Sequence, residues 1–179
     1  MHRLFVALRP PPSIRNQLLG IMSDAEGLRW QSDGQLHITL RFIGEVDGRT
    51  ADDIATALGR IGGQAAALQL SGVGTFESKG RVHTLWAGVA PKEPLHALHK
   101  KIDRAMTALG LQQDGRAYRP HITIARTGGR APDLAAFLAR HAGLSSEAFT
   151  PDWFGLYESK STAEGQIYDC VAKYALTGQ

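Results

Sequence analysis

The tetrapeptide His37-Ile38-Thr39-Leu40 recurs as His121-Ile122-Thr123-Ile124. Successive side chains of a β-strand point to opposite faces, so in each copy His and Thr share one face while the apolar pair points into a core. Two such strands facing each other make a cleft with two titratable bases and two hydroxyl donors. Paired imidazoles suit the opening of a strained cyclic phosphodiester. One, neutral, takes a proton from water; the other, charged, protonates the leaving ribose oxygen. An ordinary pKa of about 6.5 makes both forms available near neutrality. Thr39 and Thr123 are placed to donate to the phosphoryl oxygens as charge grows on them. Metal-binding spacings such as Cys-x-x-Cys or His-Glu-x-x-His are absent from the sequence. The proton transfers need no metal, so neither metal nor cofactor is expected. Residue types alone leave open which His is the acid and which the base.

The flanks narrow the reading. The first copy sits in Leu36-His-Ile-Thr-Leu-Arg-Phe-Ile-Gly-Glu45 and the second in Tyr118-Arg-Pro-His-Ile-Thr-Ile-Ala-Arg126. With Arg3-Leu-Phe-Val-Ala-Leu8 and Pro10-Pro-Pro12, these segments resemble the two-histidine (2H) phosphoesterases. They resemble in particular the bacterial and archaeal RNA 2′,3′-cyclic phosphodiesterases, historically called 2′-5′ RNA ligases. The resemblance runs from about residue 2 to about residue 176. It implies hydrolysis of RNA 2′,3′-cyclic phosphate ends to 2′-phosphates, with His37 as proton donor to the leaving 3′ oxygen and His121 as proton acceptor from water. It also implies weak, reversible 2′-5′ RNA ligation by the same residues. Two other functions stay open: a cyclic phosphodiesterase acting on a small nucleotide or a 2′,5′-oligonucleotide, and a non-catalytic RNA-binding module. The intact His and Thr pairs weigh against the last.

The elements that must position these residues follow from periodicity. Strands are expected over residues 4–8, 36–43, 66–76, 82–90, 120–126, 148–158 and 166–176. Helices are expected over 12–25, 50–61 (with Thr50 as cap), 95–109 and 132–141. Residues 3–76 then give strand, helix, motif strand, helix, strand, and residues 82–158 repeat the series. Phe5 precedes His37 by 32 positions and Trp86 precedes His121 by 35, so the halves match in spacing as well as order. The expectation is an α+β fold. Two pseudo-symmetric lobes of antiparallel sheet, with flanking helices, would enclose a central cleft within one domain, residues 1–179.

Other side chains near the motifs are substrate-binding candidates. Arg126, five positions after His121, stands where the resembled family carries an arginine, and its planar fork suits a phosphate. Arg119 could also reach substrate. Arg41 alternates onto the His37 face, for a substrate role or a solvated strand end, and Phe42 onto the core face. Trp30 would stack a base or cap the core. The loop from Gln112 to Arg119 is expected to rim an oligonucleotide groove. His83, His96, His99 and His141 are expected at the surface, and His2 is terminal.

Composition sets the outer bounds. A formal charge of +3 on 179 residues permits a polyanionic ligand without demanding one. No run of five like charges suggests a disordered nucleic-acid arm. Cys170 is the only cysteine, which excludes an intramolecular disulfide and fits a reducing cytosol. Leu4–Leu8 is too short for a signal-peptide core and nothing reaches the length of a membrane span. A cytoplasmic monomer, off the membrane, is expected.

Overall fold

The computed structural model describes residues 1–23, 25–128 and 133–178. Among these, nine strands and four α-helices alternate in an α+β chain. The first half contains β1 (His2–Leu8), α1 (Pro12–Leu19), β2 (Leu28–Trp30), β3 (Ile38–Val46), α2 (Gly48–Leu58), β4 (Gly63–Gln64) and β5 (Gln69–Ser78). The second contains β6 (Arg81–Ala90), α3 (Glu93–Ala108), β7 (His121–Thr127), α4 (Ala135–His141), β8 (Trp153–Thr162) and β9 (Gly165–Thr177).

The strands form one path in the order β4-β9-β8-β1-β3-β7-β6-β5, with β2 added to β7. Every pairing is antiparallel except β4 with β9. The two lobes meet at a narrow neck, where the motif strands β3 and β7 share one residue pair, Ile38 opposite Ile122. β5 of the first half and β8 of the second each cross to the other lobe. β5 pairs with β6, and β8 pairs with β1. The exchange keeps the symmetry expected of the repeat and ties the lobes together, since neither sheet is complete without the other half of the chain.

One face of this sheet carries the helices. Leu4, Val6 and Leu8 on β1, Ile38 and Leu40 on β3, and Ile122 and Ile124 on β7 are all fully or almost fully buried in one core. Helix α1 adds Ile14 and Leu18, α2 adds Ile54 and Leu58, and α3 adds Leu95, Leu98, Ile102 and Met106. These i, i+3, i+4 spacings are the stripe that a helix lays on a sheet. The other face of β1 buries Phe5 and Ala7 with Tyr157 in a small second cluster beside the cleft.

Several boundaries differ from expectation. Helix α1 stops at Leu19 with Gly20 as its cap, rather than at residue 25. The cap of α2 is Asp47, whose side chain accepts the Thr50 N–H at 2.7 Å, so Thr50 lies inside the helix. Strand β2 and the 3-10 turn Asp33–Gln35 occupy a segment expected to be a loop. The expected start of the fourth helix at Pro132 lies outside the described residues; the described helix begins at Ala135. No described helix is long and apolar enough to cross a membrane.

Candidate active site

Both motif histidines face one cleft, an open space of about 1600 Å³ including the solvent at its mouth. Without that solvent the cavity is about 660 Å³, within the roughly 300–1,000 Å³ of a typical small-molecule site. His37, Thr39, His121, Thr123 and Arg126 all line it. The antiparallel register around Ile38 and Ile122 puts Thr123 on the His37 side and His121 on the Thr39 side, so the two motifs present their polar faces together.

Each imidazole is held the same way. His37 Nδ1 donates to the Gln35 carbonyl at 2.7 Å, and His121 Nδ1 donates to the Arg119 carbonyl at 2.6 Å. A carbonyl only accepts, so the proton of the neutral ring sits on Nδ1 and Nε2 is left for substrate. His37 Nε2 also lies 3.0 Å from the Thr39 hydroxyl. The carbonyl of Gln35 is itself fixed. Asp33, in the same 3-10 turn, takes ion pairs from Arg9 and Arg15, and the Gln35 amide donates to the Gln166 carbonyl at 2.9 Å.

Aromatic rings surround both bases. Phe5 and Tyr168 flank His37, with ring centroids at 5.0 and 5.3 Å. Phe76 meets His121 edge-on at 4.7 Å, and Trp86 lies 6.3 Å away. This burial disfavours the imidazolium. It lowers His37 to about 4, against the opposing pull of the Gln35 carbonyl and with smaller contributions from His121, Arg126 and Arg9. His121 is lowered too, by burial first and by Arg126 last, with the Arg119 carbonyl opposing.

Arg126 reaches the cleft because β7 breaks its alternation. Thr123 pairs with Trp86 and Ala125 with Leu85, leaving Ile124 as the extra residue of a bulge. Strict alternation from His121 would have sent Arg126 to the core face. The same irregularity occurs at the matching place of β3: Thr39 pairs with Ala7 and Arg41 with Val6, leaving Leu40 unpaired. Thus the bulge turns Phe42 into the cleft, 61% exposed, and Arg41 inward, 7% exposed. The expectations for these two residues are reversed. Arg41 is no substrate ligand or solvated strand end: its Nε donates to Asp103 at 2.8 Å and its two terminal nitrogens donate to the Phe42 and Gln112 carbonyls.

A polar brace under β3 accompanies that bulge. His99, expected at the surface, is 9% exposed, and its Nδ1 donates to the Leu40 carbonyl at 2.6 Å. Its ring stacks on Tyr118 at 4.2 Å, and the Tyr118 hydroxyl donates to the Thr39 carbonyl at 2.9 Å. The carbonyls of Thr39, Leu40 and Phe42 are therefore each held by a side chain. Backbone groups freed by a bulge need such partners when buried.

The remaining candidates divide. The exposed Arg119 side chain borders a groove beyond His121, while its carbonyl holds the His121 ring. Trp30 lies on β2 against Phe137, ring centroids 5.9 Å apart, packed on the core and away from the cleft lining. His83, expected as a surface residue, is exposed but lines the cleft, as do Phe76, Thr84 and Tyr168. Arg126 Nη1 lies 3.5 Å from the Thr84 hydroxyl, a weak tether that leaves most of the guanidinium to a ligand. Among the described residues no group of three or more His, Cys, Asp or Glu could hold a metal ion.

Comparison with known proteins supports the same frame. Residues 10–162 match the model of the 2′-5′ RNA ligase superfamily. The chain is 29% identical over 169 residues to the RNA 2′,3′-cyclic phosphodiesterase of Archaeoglobus fulgidus, covering 93% of this chain and 96% of the relative. It is 30% identical over 139 residues to the enzyme of the same name from Aeropyrum pernix, covering 76% and 79%. The crystal structure of E. coli LigT complexed with 3′-AMP superposes with a TM-score of 0.84 at 26% identity over 98% of both chains. A duplicated strand motif, a shared cleft and a match over most of the length converge: this chain belongs to the 2′-5′ RNA ligase superfamily.

Proposed function

We propose that this protein hydrolyses 2′,3′-cyclic phosphate ends of RNA to 2′-phosphates by paired histidine acid–base catalysis. The observation that carries the reading is the matched anchoring of His37 and His121. Each is pinned through Nδ1 to a backbone carbonyl, and each offers Nε2 to one cleft that also holds Arg126. Relatives named RNA 2′,3′-cyclic phosphodiesterase, matched over most of their length, support the same substrate class.

In this reading His121 Nε2 takes a proton from water as the water oxygen attacks phosphorus. The P–O3′ bond breaks, and His37 Nε2, charged, gives its proton to O3′. Thr39, Thr123 and Arg126 donate to the phosphoryl oxygens, where charge grows. Ring strain and the two proton transfers carry the step, so no metal is needed. The same step with a 5′-hydroxyl in place of water would give weak 2′-5′ joining, and its reversal would cleave the 2′-5′ bond. The exposed free thiol of Cys170 fits a reducing compartment, and the chain would work there as a monomer.

The test is turnover of an oligonucleotide ending in a 2′,3′-cyclic phosphate, in substrate excess and with a chelator present. Product identity is read by phosphorus NMR. Multiple turnovers to a 2′-phosphate support the reading. A single stoichiometric binding event without product would mark a binding module, and turnover of mononucleotides alone would mark a small-nucleotide enzyme.

A further inference from the structure

The cleft does not end symmetrically. Beyond His37 the flank is nearly closed: Tyr157 and Tyr168 leave a cavity of only about 10 Å³. Beyond His121 the same sheet face opens into a groove of about 260 Å³, continuous with the cleft because His121 and Phe76 line both. In a molecule built on a repeat, one filled flank and one open flank call for a cause.

The groove's lining points to an anion carried on a ring. Lys92, His96 and Arg119 border it. The Trp86 indole forms part of its wall, and its Nε1 is buried with no hydrogen-bond partner. The indole has room because glycine stands opposite: a Cβ on Gly74 would lie 2.3 Å from the Trp86 ring.

The chemistry assigns the side. In-line displacement puts the nucleophile opposite the leaving O3′. His37 protonates O3′, so the ribose of the cyclic phosphate lies toward His37 and the nucleophile lies toward His121. The open groove is therefore on the nucleophile's side. We infer that the groove formed by Trp86, Lys92, His96 and Arg119 is a second nucleotide subsite, for a nucleoside whose 5′-hydroxyl takes the place of water at His121 and whose 3′-phosphate meets the groove's cations. This rests on the acid and base roles proposed above. The balance is the same as for water. The P–O5′ bond forms and P–O3′ breaks; the 5′-hydroxyl proton goes to His121 and the His37 proton goes to O3′. The product is a 2′,5′-linked dinucleotide, and its cleavage is the reverse step.

Two measurements test this. The first needs no turnover. The indole N–H resonances of Trp30, Trp86 and Trp153 are followed by NMR while uridine 3′-phosphate is added, with the Trp86 peak assigned by Trp86→Phe. The expected result is a shift of the Trp86 peak alone, with at least tenfold weaker binding in Lys92→Glu. An unmoved Trp86 peak, or a shift indifferent to Lys92→Glu, overturns the subsite; the latter means binding in the central cleft only. The second uses adenosine 2′,3′-cyclic phosphate with uridine 3′-phosphate as acceptor and reads the ratio of dinucleotide to hydrolysis product. Lys92→Glu should lower that ratio at least tenfold. An unchanged ratio overturns the inference, whereas loss of both products from the unaltered protein with the NMR shift intact would refute the proposed reaction and leave the subsite standing.

Discussion

The pH dependence of kcat/KM follows from the burial of the two imidazoles. That constant reports the free protein. There His37 has fallen to about 4 and His121 lies below its ordinary value. With one proton required on the pair, the productive form is most abundant between the two macroscopic values, so the bell should peak on the acid side of pH 6.5. At pH 7 an imidazole with a pKa of about 4 is charged in about a thousandth of the molecules. Above the peak, kcat/KM should thus fall tenfold per pH unit. Bound substrate carries a negative phosphoryl group, which favours the imidazolium, so the kcat profile should lie at higher pH than that of kcat/KM. Arg126 contributes to the lowering at both rings, and Arg126→Ala should move the kcat/KM peak to higher pH as it lowers its height. The assay is steady-state turnover of an oligonucleotide cyclic phosphate from pH 4 to 9, with a solvent isotope effect showing that proton transfer limits the rate. A kcat/KM flat or rising from pH 6 to 8, or an Arg126→Ala profile displaced to lower pH, would refute the electrostatic argument.

Three other outcomes are expected. Arg126→Ala should lower kcat/KM about ten- to a hundredfold, the value of a charge-assisted contact of about 1.5–3 kcal/mol, and Arg126→Lys should restore part of it because the charge returns without the planar fork. Unchanged kinetics in the alanine variant would return Arg126 to a solvated position. Asp103→Ala leaves Arg41 buried and unpaired, which should cost about 3–5 kcal/mol and lower Tm by roughly 6–20 °C; calorimetry checks it, and a Tm within 3 °C of the parent would show that the brace is unimportant. Phe42→Ala should leave Tm unchanged, since the ring is 61% exposed, but weaken oligonucleotide binding by about 1–3 kcal/mol if the ring stacks a base, as a fluorescence titration would read.

The fold was legible where periodicity is local. The stripe Leu95, Leu98, Ile102 and Met106 marks α3, and the alternation at 37–40 and 121–124 marks both motif strands. The cleft pair was legible for the same reason. The bulges were not. The residues left unpaired, Leu40 and Ile124, are apolar and continue the alternation. Nothing in residue type therefore announces that Arg41 turns in while Phe42 turns out. Arg126 was placed by resemblance, since strict alternation puts it on the wrong face. His99 is expected at the surface of its helix, yet it and Asp103 on the same helix are both buried. Their burial is tolerable only with partners, and Arg41 lies 62 positions away from Asp103 in sequence, beyond any local pattern. Tyr168, which closes the His37 flank, arrives on the final hairpin. Its place depends on β8 crossing to the first lobe.

The central claim is that two imidazoles share the proton transfers of one ring opening. Turnover and thermal melting of His37→Ala and His121→Ala, measured side by side on a 2′,3′-cyclic phosphate oligonucleotide, test it most directly. Each ring stands at the cleft wall outside the buried hydrophobic clusters, so both variants should stay folded and melt close to the parent. Each proton-transfer role is typically worth about a hundred- to ten-thousandfold in rate, and either variant should lose that much. A variant that melts like the parent and turns over at a near-parental rate would contradict the paired mechanism.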